Sequence, residues 1–130
     1  MKLEDVFTKA VAILPGFKPY WDKHLQYWEG KERGVITDFS VLVDYAYDLM
    51  QKTDSKESLQ ILAEFIETCV IDADESTRYG ATIGFLEGIT NRLSHEKPVA
   101  PGWKDFFESA GPETKKSLTA LDDFWGTDPL

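Results

Sequence analysis

Cysteine is nearly missing: Cys69 stands alone among 130 residues, which excludes an intramolecular disulfide framework and a cysteine-rich zinc site. Histidine is almost as scarce. His24 and His95 lie far apart, neither has a carboxylate at metal-ligand spacing, and no metal or cofactor is expected. Long apolar runs are missing too, since nothing approaches the roughly 20 consecutive apolar residues of a membrane-spanning helix. The opening MKLEDVFTKA places two acids within five residues and Pro15 halts the VAIL run, so no leader is read and a cytoplasmic location is expected. Catalytic signatures are equally lacking. There is no phosphate-binding glycine loop, no G-x-S-x-G elbow and no H-E-x-x-H pair, so no catalytic residue is assigned.

Basic residues are the last shortage. Fourteen lysines and arginines face 23 acids, a net charge of −9, which argues against phosphate backbones and anionic membranes as partners. The imbalance is local: between Ile36 and Thr77, ten acids face only Lys52 and Lys56. Such a balance favours a basic partner, or only solubility.

Apolar residues are plentiful, at 42% with 13% aromatic, enough for one folded domain spanning 1–130. Their spacing is helical throughout. Leu3, Val6, Phe7, Ala10, Val11 and Leu14 form a first stripe, ended by Pro15-Gly16, and Trp21, His24, Leu25 and Trp28 a second, ended by Gly30. Thr37 or Asp38 is expected to cap a third helix with Phe39, Leu42, Val43, Ala46, Leu49 and Met50 inside. A fourth buries Leu59, Leu62, Phe65, Ile66, Cys69 and Val70. Residues 94–102 read as an internal linker, followed by a short helix at Trp103, Phe106 and Phe107 and a last one opened by Pro112, with Leu118, Leu121, Phe124 and Trp125 on one face. The tail 126–130 is expected to fray. The fold class is therefore all-α, six or seven helices in a single compact domain, mostly antiparallel neighbours, without disulfides.

The expected centre of that domain is the helix from Arg78 to Leu93, because Gly80, Gly84 and Gly88 fall at every fourth position on one of its faces. Each glycine weakens a helix by roughly 1 kcal/mol relative to alanine, so something must close in on that line. A neighbouring helix at short range and a groove for a ligand both satisfy the pattern. A membrane dimer seam does not, since Arg78, Glu87, Asn91 and Arg92 lie among the glycines.

On the third helix the side opposite the stripe carries Asp44, Tyr45, Tyr47 and Asp48, and tyrosine is enriched where a surface must be apolar and hydrogen-bonding at once. Glu64, Glu67, Asp72 and Asp74 flank it, with Asp72 to Ser76 also suited to cap a helix start. In size, helical class and acidity, with Asp44-Tyr45-Ala46-Tyr47-Asp48 and the acids through Glu75, the chain resembles the small bacterial immunity proteins that neutralise a cognate toxin. That resemblance implies a non-enzymatic module binding a basic toxin domain, with nucleases among the candidates, through Asp44, Tyr45, Tyr47, Asp48, Glu64, Glu67, Asp72 and Asp74. Two alternatives stand beside it: an adaptor taking an apolar helix or peptide into an aromatic groove around Trp21, Trp28 and Trp103, and a small carboxylate-dependent enzyme with polar groups converging on His24 or on a carboxylate cluster.

Overall fold

A helix of three parts, Glu75–Tyr79, Gly80–Glu87 and Gly88–Ser94, runs without a break through the computed structural model, which describes residues 1–71, 74–95 and 98–125, the last four without their side chains. Around this helix, α5, are arranged α1 (Leu3–Ile13), α2 (Lys18–Tyr27), α3 (Val35–Met50), α4 (Lys56–Ile71), α6 (Trp103–Ser109) and α7 (Pro112–Trp125). Seven helices and no strand make up the described residues, an all-α domain. None of them is long and apolar enough to cross a membrane.

The glycine line of α5 is a packing surface. A Cβ added to Gly80 would stand 2.3 Å from the Phe39 ring, and one on Gly84 would stand 2.8 Å from the Phe39 Cβ and 3.4 Å from the Ile36 backbone. Three missing side chains let α3 press against α5 along its length, which is why tertiary contact outweighs the helix propensity lost. The central part of α5 is wound as a π-helix, a rare wide turn that occurs frequently at functional sites. Thr82 donates its hydroxyl back to the carbonyls of Arg78 and Tyr79, and Thr90 to those of Leu86 and Glu87, so threonine hydroxyls sit on the backbone near both ends of the wide segment.

The stripes of α3 and α4 are buried as their spacing requires, that of α1 is buried at Val6, Phe7, Ala10 and Leu14 and half-buried at Leu3 and Val11, and Leu42, Met50, Leu59, Leu62 and Ile66 are fully enclosed. Two expectations change. First, α3 starts at Val35, with Gly34 in the capping position, because Asp38 is bound by His24 and Arg33 and caps nothing. Second, Tyr79 and Ile83, apolar residues beside the glycine line that a central helix would be expected to pack inward, are 49% and 38% exposed, since α3 covers the glycine side and leaves theirs open. Within the 94–102 linker, Val99 is half-buried and Ala100 buried, while Glu96 and Lys97 lie outside the described residues. The tail 126–130 and the side chains of Phe124 and Trp125 also lie outside them.

Candidate functional site

Tyr45, expected at the centre of an exposed patch, is 2% exposed. The helical stripe identifies one inward face, but α3 is covered on several sides, by α2 and α4 as well as α5. Tyr45 lies under α2, edge-on to Phe17 at 5.3 Å and to Tyr20 at 5.6 Å, and its hydroxyl donates to the Pro15 carbonyl at 2.7 Å. Burial, with the neighbouring Tyr20 phenol, pushes its pKa up to about 12. It is a core residue that satisfies a carbonyl in the α1–α2 turn, so it cannot meet a partner.

Its neighbours on α3 are accessible but engaged. Asp48 accepts the Tyr20 hydroxyl at 2.5 Å, a bond that, with burial, raises the phenol to about 12. Asp44 accepts Arg92 Nη1 from α5 at 2.7 Å, and the same guanidinium lies 3.8 Å from the centre of the half-buried Tyr47 ring.

The flanking acids divide further. Glu64 is exposed on α4. Glu67, expected to face out, instead caps α7: it accepts the Thr114 amide and hydroxyl at 2.8 Å each and the Glu113 amide at 3.2 Å. Burial raises its pKa, but these three hydrogen bonds outweigh it and leave the carboxyl below its ordinary value. Asp74 serves two helix starts, taking the Thr77 amide at 2.8 Å and the Leu3 amide at 3.1 Å. Its carboxyl is held below the ordinary value by its Thr77 neighbour and by the Thr77 and Leu3 amides; since the buried Thr77 hydroxyl makes no hydrogen bond, the two amides are the bonds that act. Asp72 lies outside the described residues. The eight residues therefore do not form one patch: Asp44, Tyr47 and Asp48 share the accessible side of α3, while Glu67 and Asp74 are structural caps elsewhere.

A different feature lies on the outer edge of the glycine seam. Between α3 and α5 runs an open groove of about 450 Å³. Buried Val43 and Gly84 form its floor, and Ile36 and Ile83, 42% and 38% exposed, its apolar walls. The only charged side chains lining it among the described residues are Asp44 and Glu87. Among those residues Glu87 has no cation beside it. Ile83 and Glu87 were missed as site residues; the signal was there, since both stand beside the glycine line that singled out this helix.

The alternative sites fare differently. Trp21 stacks on Phe7 at 4.3 Å, whereas Trp103 belongs to a cluster with Phe106, Phe107 and Phe85, and no ring contact joins the two groups among the described residues. The three tryptophans make no common groove, because the helices carrying them bury their aromatic faces against different neighbours. His24 does have a carboxylate partner: its Nε2 lies 2.9 Å from Asp38 Oδ1, which also accepts Arg33 Nε at 2.9 Å. The imidazole is 10% exposed and flanked by Trp21 and Trp28, so the pair braces α2 against α3. Arg33, Asp38 and Trp21 border a shallow cavity of about 720 Å³ that also touches Lys2, Glu4 and Phe7 and mixes charges of both signs. Sequence spacing could not pair His24 with Asp38, which is on the next helix. No three histidine, cysteine, aspartate or glutamate side chains converge as metal ligands among the described residues.

The family model described as "Domain of unknown function (DUF7674)" matches residues 7–126, nearly the whole helical domain. No curated protein and no solved structure matches the chain.

Proposed function

The chain belongs to the DUF7674 family, and we propose that it is a non-enzymatic, cytoplasmic binding domain that takes a basic protein partner into the α3–α5 groove, as an immunity protein takes its toxin. One observation carries this reading: a groove with two exposed isoleucine walls whose charged lining among the described residues is Asp44, paired with Arg92, and Glu87, on a chain of net charge −9. Negative potential draws a basic surface in over long range, and apolar contact then holds it. The anchoring role expected of Tyr45 passes to Ile83 and Ile36, the exposed large apolar side chains among the described residues that line the groove.

Affinity purification from the native host at low and high salt tests the reading, using wild type, Glu87→Lys and, as a charge-matched control, Glu29→Lys at the exposed end of α2. The reading requires a basic protein that wild type and Glu29→Lys retain at low salt and lose at high salt, and that Glu87→Lys does not retain. Equal retention by all three, or equal loss from both variants, removes the groove as the binding surface.

A further inference from the structure

Arg92 already shows which chemical group this rim accepts. From the last turn of α5 it crosses the seam, places Nη1 2.7 Å from Asp44 Oδ1 and lies 3.8 Å from the centre of the Tyr47 ring. A carboxylate with a second oxygen open to a fork and a ring for the planar face are the two elements that favour guanidinium over ammonium, although Arg92 itself uses only one carboxylate oxygen. Both side chains of the ion pair are accessible, Arg92 at 40% and Asp44 at 62%, so water can replace Arg92 without opening the core. Asp44 Oδ2 has no partner among the described residues, nor has the Glu87 carboxylate on the α5 side of the same groove.

On the binding reading above, we infer that the acidic end of the groove is the seat of a partner arginine flanked by aliphatic residues, and that Arg92 is an internal competitor for it. The aliphatic neighbours of the incoming arginine rest on Ile36 and Ile83, while its guanidinium takes Asp44 and Tyr47 from Arg92 and gains Glu87. Arg92 thus sets a threshold: a lone cation gains too little to displace it, and an arginine carried by apolar contacts does displace it. Lysine fits less well, because its ammonium has neither the fork nor the plane.

The probe is the capped tripeptide acetyl-Ile-Arg-Ile-amide, with acetyl-Ile-Lys-Ile-amide beside it, titrated into isotopically labelled protein while the amide resonances of Gly84, Gly88 and Asn91 are followed. Removal of one exposed ion pair and one cation–π contact should tighten binding to Arg92→Gln about threefold to tenfold over wild type. Asp44→Asn should weaken it, and the lysine peptide should bind wild type less well than the arginine peptide. Arg92→Lys, which keeps the charge and alters the seam least, should fall between wild type and Arg92→Gln. Equal or weaker binding by both Arg92 variants, with the three resonances still moving, overturns the competition and leaves the groove reading standing. If those resonances move in no variant, the groove reading fails and the inference falls with it.

Discussion

Glu67, deep in α4, is bound to Thr114 at the start of α7 through both the backbone amide and the hydroxyl, each 2.8 Å from the same carboxylate oxygen. One acid thereby holds the last helix on the core across 47 residues of chain. Gly111 makes room for it, since a Cβ there would meet the Glu67 carboxyl carbon at 2.2 Å.

Glu67→Ala should reduce stability by about 1–2 kcal/mol, the usual loss for a helix cap with hydrogen-bonded partners. The pH dependence follows from the lowered carboxyl. A depressed folded pKa gives a contribution that is full above the ordinary value near 4.5 and disappears as pH falls through the folded one. Urea unfolding at neutral and at acid pH checks both points: the difference between wild type and Glu67→Ala should shrink on acidification. A gap that stays constant, or widens, contradicts the cap.

Tyr45→Phe should lower stability by about 1–2 kcal/mol, because the Pro15 carbonyl loses its donor in a buried setting, and should leave partner binding unchanged. Chemical denaturation together with a binding assay separates these effects. Loss of binding at full stability would return Tyr45 to the interface.

The glycine seam predicts an order of destabilisation. Gly80→Ala and Gly84→Ala force contacts of 2.3 and 2.8 Å on the enclosed Phe39, whereas Gly88→Ala meets only Val43 Cγ2 at 3.0 Å. Overpacking of this kind costs about 1–3 kcal/mol and outweighs the roughly 1 kcal/mol of helix propensity gained. Thermal melts should rank wild type above Gly80→Ala and Gly84→Ala, with Gly88→Ala closest to wild type or above it.

If the groove binds as proposed, its two chemistries should separate kinetically. Glu87→Gln should slow association and reduce its salt sensitivity, while Ile83→Ala should leave association unchanged and speed dissociation several-fold. Surface-capture kinetics at two ionic strengths provide the comparison; identical effects of the two changes would refute the division.

Cys69 is fully enclosed in α4, and burial pushes its thiol up to about 12 even though the N-terminus and Lys9 pull it down. Alkylation by iodoacetamide near pH 8 should therefore be negligible in folded protein and complete in denaturant, as mass spectrometry would report.

Periodicity alone located the helices. Phe39, Leu42, Val43 and Ala46 on α3, and Leu59, Leu62 and Phe65 on α4, recur at three and four because a helix returns to the same face at that interval, and Pro15, Gly30 and Pro112 mark the breaks. Those rules act between residues close in the chain. They reach no further than the helix on which they are read, so the number of sides on which α3 is covered, and with it the burial of Tyr45, depended on how α2, α4 and α5 assembled around it. The same holds for charge. Asp74 was legible as the cap of its own helix, three residues before Thr77, but its second bond, to the Leu3 amide, was not, and Glu67 looks like Asp44 and Glu64 in a string of letters yet is consumed as a cap, because the helix start that needs it lies 47 residues further on. The pairing of His24 with Asp38 and the groove beside Gly84 arise in the same way, from surfaces that exist only once separate helices meet.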